Sequence, residues 1–333
     1  SEVKVARPAI LAVDGGNSKT DLALVSAGGE LRALVHGPTV SHQQVGMQAG
    51  VARLEELAVR AARDARLDSS SRPLADLAVL CLAGADFPSD VRALAGTVRP
   101  LKLAREVVIR NDGFAGLRTG TNRAWGVAVI AGSGINCVGI APDGRMASFP
   151  AVGDVAGDWG GGEGVGKEAL AAAIRGRDGR GAHSRLEELV PRHFGYRRPI
   201  NLTYALYRGR VPDSRLRELA PLLFDAAGYG DPVARAIVDR LADEVAGMAI
   251  AMIRRLRLVR LDVDVVLAGG IMRNRDRPFY ERIERAVRNT ARRATIRRVA
   301  QRPVLGAALL GLDRLAGENH DAAETRLRAV FGA

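Results

Sequence analysis

Leu11-Ala12-Val13-Asp14-Gly15-Gly16-Asn17-Ser18-Lys19-Thr20-Asp21-Leu22-Ala23-Leu24-Val25 carries one apolar run into a Gly-rich turn and a second apolar run out of it. Two short apolar runs around such a turn predict a β-hairpin. Gly15 and Gly16 are expected to supply positive φ and close backbone approach. Successive amides in such a turn form a nest for anionic oxygens. Ser18 and Thr20 would add hydroxyl donors, and Lys19 adds charge. Asp14, where the entering strand ends, suits a Mg²⁺ held mostly through water. An ordinary Gly-rich hairpin turn would show the same residues. The spacing is not G-x-x-x-x-G-K-[ST], and a strand follows rather than a helix, so this is not a P-loop.

Outward from the hairpin, Glu30 to His36 reads as a third antiparallel strand ended by Gly37-Pro38. The polar loop Thr39 to Gln44 leads to a helix from about Val45 to Ala65, with Val51, Leu54, Leu57, Ala58 and Ala61 at helical spacing. Leu74 to Leu82 is a buried strand, and Pro88 opens the next helix with Ser89 as its expected N-cap. Glu106 to Arg110 is another strand, closed by Asn111-Asp112-Gly113. The pattern then restarts. Trp125 to Ala131, the turn Gly132-Ser133-Gly134, Ile135 to Ala141 and Met146 to Phe149 repeat the opening theme. Two such turns facing each other would grip one polyphosphate from both sides.

Gly153 to Gly166 is so rich in glycine that irregular backbone is expected, before a helical block from Lys167 to about Leu258. Asp231-Pro232 reads as N-cap and N1 of a helix. Val263 to Ala268 is a strand feeding Gly269-Gly270; helix Pro278 to Thr290, strand Thr295 to Val299, a helix with Gly306, Ala307, Ala308 and Gly311 on a close-packing face, and helix Asp321 to Phe331 follow.

A chain of 333 residues with 47% hydrophobic content can bury two cores. Ser1 to Pro8 carries mixed charge and the apolar run Ala9 to Val13 is too short for a signal peptide. No run approaches the ~20 apolar residues of a membrane span. The expectation is a cytoplasmic protein that engages no membrane. Cys81 and Cys137 each sit in an apolar strand-like run, without metal-ligand spacing, and read as buried free thiols. The net charge of +12 is nearly all arginine, since Lys4, Lys19, Lys102 and Lys167 are the only lysines. The arginines are spread along most helices and aromatics are only 4%, which leaves few stacking platforms and argues against specific nucleic-acid binding.

D-G-G-N-S-K-T-D-L resembles the first phosphate loop of the sugar-kinase, Hsp70 and actin superfamily, most closely the branch of N-acetylglucosamine kinases and BadF/BadG-type ATPases. The Asn111-Asp112-Gly113 strand end, Ala131 to Cys137, the Glu163 segment and Leu267-Ala268-Gly269-Gly270-Ile271 occur in the order seen in N-acetylglucosamine kinases, across nearly the whole chain. The resemblance implies an α/β fold of two actin-like (ribonuclease H-like) domains, each with a mixed β-sheet, and a cleft between them that closes on the substrates. The expected boundaries are 1–118, with helix 318–333 packing back on it, and 119–317 with a helical insertion; the halves would hinge near Leu117 to Asn122 and near Ala316.

The resemblance also implies roles. Gly15, Gly16, Asn17, Ser18, Lys19 and Thr20 would hold ATP phosphates, with Gly132, Ser133 and Gly134 from the second domain. Gly269 and Gly270 would let the adenosine lie on bare backbone, and Asp14 would orient Mg²⁺. Asp112 matches the catalytic base that takes the proton of the sugar 6-hydroxyl; a turn-forming Asp before Gly is the alternative. Asn136 matches a sugar-contacting Asn. Gly84, Ala85 and Asp86 match a loop near the sugar, with Asn111 beside it. Ser41 and His42 occupy a loop where relatives carry an Asn-containing segment. Where relatives read G-D-E-G-S, this chain reads Gly161-Gly162-Glu163-Gly164-Val165, so Asp158 and Trp159 are candidates to replace the missing Asp. Glu163 would bind a sugar hydroxyl or cap the following helix, with neither favoured. The implied ligands are ATP, Mg²⁺ and an amino sugar, N-acetylglucosamine first among them. Relatives are often dimers, so a homodimer is expected. A BadF/BadG-type ATPase, a related hexose or glucosamine kinase, and a non-catalytic sugar or nucleotide sensor of the same fold are the alternatives.

Overall fold

The computed structural model describes residues 6–332. The reading of Ser1 to Pro8 therefore concerns residues that fall mostly outside the described ones, as does Ala333 at the other end. In chain order the elements are β1 (Ile10–Gly15), β2 (Lys19–Val25), β3 (Leu31–Pro38), the single turn α1 (His42–Val45), α2 (Met47–Asp64), β4 (Ala75–Leu82), α3 (Pro88–Val98), β5 (Ala104–Asn111) and α4 (Gly113–Gly120). Then come β6 (Gly126–Ala131), β7 (Ile135–Ile140), β8 (Met146–Ser148), α5 (Gly161–Asp178), α6 (Leu186–His193), α7 (Pro199–Tyr207), α8 (Ala220–Gly228) and α9 (Pro232–Arg255). The chain ends with β9 (Asp264–Ala268), α10 (Arg277–Thr290), β10 (Thr295–Arg298), α11 (Val304–Leu315) and α12 (His320–Val330).

The strands form two five-stranded sheets of the same order, β3-β2-β1-β4-β5 and β8-β7-β6-β9-β10. In the first, β1 and β2 are antiparallel while β1, β4 and β5 run parallel. The repeated hairpin legible in the sequence is thus one part of a repeated five-strand topology. Among the described residues neither sheet closes into a barrel. Spatial grouping divides the chain into two compact units. One holds the chain up to Ala128, Val138–Pro150 and everything from Val299; the other holds Val129–Cys137 and Ala151–Arg298.

In the first unit both faces of the sheet are buried. Alternation sends Leu11, Val13, Leu22 and Leu80 to one face, against Leu54, Leu57, Ala58 and Ala61 of α2 and Leu94 of α3. Ile10, Ala12, Ala23 and Val79 go to the other, against Ala115 of α4, α11, and Ala323 and Leu327 of α12. The small residues of α11 serve this contact. A Cβ on Gly306 would lie 1.8 Å from the Ala115 carbonyl oxygen, so α11 and α4 meet backbone to backbone.

Two local expectations change, and Arg118 takes a role that the sequence did not signal. Ser89 is not the N-cap of α3; that position is Phe87, whose amide donates to Asp90 Oδ2 at 2.9 Å. Leu117 to Gly120 is the last part of a helix, and Arg118 within it is almost fully buried in a bidentate clasp with Asp313 and Glu324. The glycine-rich run is helical from Gly161, not from Lys167. Among the described residues no helix is long and apolar enough to cross a membrane.

Candidate functional site

In the first unit the β1–β2 turn is closed by the Gly16 amide donating to the Lys19 carbonyl at 3.0 Å, and by the Thr39 hydroxyl donating to the Gly16 carbonyl at 2.7 Å. Asn17, Ser18 and Lys19 are exposed at its tip. Gly15 and Gly16 do not adopt positive φ. Gly15 is needed for clearance instead, because a Cβ there would lie 2.8 Å from Leu82 Cδ2 and 2.9 Å from Val40 Cγ2. Thr20 also departs from expectation. It is fully buried, and its hydroxyl accepts from the Val40 amide at 3.1 Å. It anchors the following loop rather than the tip of the turn.

Register places His36, Asp21, Asp14, Cys81 and Arg110 in one row across all five strands of this sheet. Like charges directly opposite each other are costly, and this row manages them. Asp21, nearly fully buried, bonds His36 Nδ1 at 2.6 Å, and Arg302 meets His36 Nε2 at 2.6 Å. Arginine only donates, so Nε2 accepts and Nδ1–H donates to Asp21. Among the described residues Asp14 has no such partner. Its carboxyl is held well above the usual range by burial, then by Asp112 and Asp21, with Lys19 pulling the other way. A desolvated carboxylate facing two others is the kind of donor that a divalent cation relieves.

Asp112 stands between the end of β5 and the start of α4. Burial, then the charge of Asp86, push its carboxyl up to about 6. Asn111 folds the adjoining loop around it: its Oδ1 accepts from the Gly113 amide at 2.9 Å and its Nδ2 donates to Asp86 Oδ1 at 2.8 Å. Gln43 Nε2 donates to the other Asp86 oxygen at 3.3 Å. Gly84, at φ +86°, lies so close that a Cβ would come within 2.6 Å of His42 Cε1. Ser41, His42, Gln43, Gly84, Ala85, Asp86, Asn111 and Asp112 are therefore one neighbourhood, built from three segments far apart in sequence. Within it Ser41 Oγ and His42 Nδ1 are buried without a hydrogen-bond partner. Buried polar atoms are almost always paired, so these two mark where a polar ligand would complete the structure. Gln43 had no distinguishing signal in the sequence.

In the second unit Gly132, Ser133 and Gly134 form the β6–β7 turn, closed by the Gly132 amide on the Gly134 carbonyl at 3.0 Å. The first turn of α5 sits on it: the amides of Gly162 and Glu163 donate to the Gly132 and Ser133 carbonyls at 2.7 and 2.9 Å. Gly161, at φ +66°, would place a Cβ 2.3 Å from the Gly134 oxygen. From Gly161 the glycine run is thus helix pressed onto a turn, while Gly153 to Gly160 is a 3-10 turn and loop, as irregular as expected. Glu163 is exposed in that first turn and its side chain makes no cap. Asn136 is buried, with Oδ1 accepting from the Cys137 amide at 2.8 Å. Asp158 Oδ2 is likewise a buried polar atom without a partner, and burial raises its carboxyl. Gly269, at φ +98°, ends β9 with a Cβ position 2.3 Å from the Ala131 oxygen, and Gly270 next to it is exposed. Cys81 and Cys137 are both buried free thiols, pushed up by burial.

The chain is similar to known proteins along most of its length. The model of the BadF/BadG/BcrA/BcrD ATPase family matches residues 11–311. An N-acetylmuramic acid/N-acetylglucosamine kinase of Clostridium acetobutylicum is 27% identical over 269 residues, 80% of this chain and 86% of that protein. An N-acetyl-D-glucosamine kinase of Dictyostelium discoideum is 23% identical over 313 residues, 91% of this chain and 97% of that protein. Among solved structures, a candidate N-acetylglucosamine kinase of Chromobacterium violaceum superposes with a TM-score of 0.69 at 23% identity, covering 92% of this chain and 99% of that one. The two mixed sheets share the fold of this neighbour and of a ROK hexokinase structure from Thermus thermophilus, which superposes with a TM-score of 0.54 at 19% identity, covering 92% of this chain and 99% of that one.

Proposed function

Since the chain belongs to the BadF/BadG/BcrA/BcrD ATPase family, we propose that it is a sugar kinase that moves the γ-phosphoryl group of ATP to the 6-hydroxyl of an amino sugar, N-acetylglucosamine first among the candidates. The observation that carries the reading is the Asp112 neighbourhood: a carboxyl raised to about 6, beside two buried polar atoms that lack partners. Both curated relatives are kinases of N-acetylated sugars, which supports the acceptor.

Phosphoryl transfer asks for positioning and charge stabilisation more than covalent chemistry. Asp112 accepts the proton of the sugar hydroxyl as that oxygen attacks the γ-phosphorus and ADP departs. A base near neutral pKa suits this task at physiological pH. Asn111, locked onto Asp86 and the Gly113 amide, fixes the base's loop. In the first unit Ser41, His42 and Asp86 are assigned to the sugar, with Gly84 and Ala85 shaping the loop. Within the second unit, taken by itself, Asn136, Asp158 and Glu163 are the polar side chains assigned to sugar hydroxyls. In the first unit the exposed turn Asn17 to Lys19 is assigned to nucleotide phosphates. Within the second unit, taken by itself, the Gly132 to Gly134 turn is assigned to phosphates and Gly269-Gly270 to the nucleoside. Asp14 would hold Mg²⁺, which supplies charge neutralisation at the phosphates.

Coupled ADP release tests the reading across N-acetylglucosamine, N-acetylmuramic acid, glucosamine, glucose and no sugar. Release that requires an amino sugar supports it. Release without sugar makes the protein an ATPase, and tight nucleotide binding with no release makes it a sensor.

A further inference from the structure

In the second unit a side chain 84 positions after the β6–β7 turn returns to it. Arg217 lies in the 3-10 turn Asp213–Leu219, and its Nη1 donates to Ser133 Oγ at 3.2 Å. Arg217 is exposed, and among the described residues no carboxylate pairs with it. Its neighbour Arg215 does pair, with Glu218 at 2.8 Å.

The placement is enforced by α5. Gly162 and Gly166 are one helical turn apart. A Cβ at 162 would lie 2.9 Å from Arg217 Cβ, and one at 166 would lie 2.0 Å from the Leu216 carbonyl oxygen. Two missing side chains therefore let the 3-10 turn dock on α5. The same end of α5 donates the Gly162 and Glu163 amides to the Gly132 and Ser133 carbonyls. One short helical segment thus registers both the turn and the guanidinium against each other. Ser133 accepts from Arg217, which leaves its own O–H free to donate. The arginine has donors to spare in a planar fork suited to phosphate oxygens.

We propose that Arg217 is a nucleotide-phosphate ligand, acting with Ser133 and the Gly132 to Gly134 turn and distinguishing nucleoside polyphosphates from nucleosides. The inference rests on the kinase reading and extends its nucleotide site. It also explains the Gly162-x-x-x-Gly166 spacing, which the sugar-binding role does not.

The test is calorimetric titration of wild type, Arg217→Gln and Arg217→Lys with ADP, with adenosine and with N-acetylglucosamine. Losing charge-assisted hydrogen bonds to phosphate should weaken ADP roughly ten- to hundredfold in Arg217→Gln, with Arg217→Lys in between. Adenosine and sugar affinities should stay at the wild-type value. ADP affinity within twofold of wild type in both variants overturns the proposal. Parallel loss of adenosine and ADP affinity also overturns it, because it makes Arg217 a structural brace. Sugar-independent ADP release together with a selective ADP defect supports Arg217 and sinks the kinase reading alone. A wild type that binds ADP no better than adenosine overturns both.

Discussion

Asp112→Asn should abolish turnover and stabilise the fold at the same time. The Asp112 carboxyl rises from an ordinary 3.8 to about 6, with burial the largest cause and Asp86 next. A rise of about two units corresponds to about 3 kcal/mol. A folded-state pKa above the unfolded value means that stability is highest below about pH 4 and falls as pH rises to about 6. At pH 8 the ionised carboxylate therefore costs the folded protein up to about 3 kcal/mol, which the isosteric amide does not. Thermal melts should place the variant several degrees above wild type at pH 8 and level with it near pH 4. Turnover should fall by about two to four orders of magnitude, the usual contribution of a general base. In wild type the pH profile should show its acid limb near 6. A base of that pKa is about one-tenth ionised at pH 5, so the rate there should be about a tenth of its plateau. A variant that is no more stable than wild type at pH 8 would refute the assigned electrostatics. Near-normal turnover would remove Asp112 from the reaction.

Ser41→Ala deletes a buried hydroxyl that has no partner, so the apo protein should be unchanged or more stable by up to about 1–3 kcal/mol, while the KM for sugar rises with little change in that for ATP; an unchanged sugar KM places Ser41 outside the sugar site. Arg118→Leu leaves Asp313 and Glu324 without their shared guanidinium and should cost about 3–5 kcal/mol in urea denaturation. Burial raises Glu324, but Arg118 and Arg328 outweigh it and hold its carboxyl below the usual value, so this stabilisation is present above that usual value and lost as pH falls through the lowered one. The variant should show a flatter acid limb in its stability profile, and an unchanged one contradicts the pairing. Gly306→Ala puts a methyl group 1.8 Å from the Ala115 oxygen and should lower stability by about 1–3 kcal/mol or more, read as a shifted urea midpoint; a neutral result means that α11 can move off α4.

The hairpin at Leu11 to Val25, the repeat at Gly126 to Ile140, the parallel strand at Ala75–Leu82 and the Asp231-Pro232 helix start were legible because each rests on local periodicity, turn chemistry or capping. The actin-like fold followed from the resemblance those motifs carry, and the strand order β3-β2-β1-β4-β5 was decided by the tertiary structure. Local rules failed where backbone meets backbone. Gly15 is required by Leu82 and Val40, not by its own φ, and Gly161, Gly162 and Gly166 lie within a helix because other chain segments press on them. Asp112 and Asp86 sit in turn-like contexts in sequence; burial raises both first, with the charge of Asp86 adding at Asp112 and that of Asp90 at Asp86. The row His36, Asp21, Asp14, Cys81 and Arg110 exists only in register, and Gln43 and Arg217 acquire meaning only from what packs beside them. Sequence determined which strands and turns form, because those depend on neighbours along the chain. Tertiary structure decided which polar atoms are left without partners and which charges face each other, because those depend on neighbours across it.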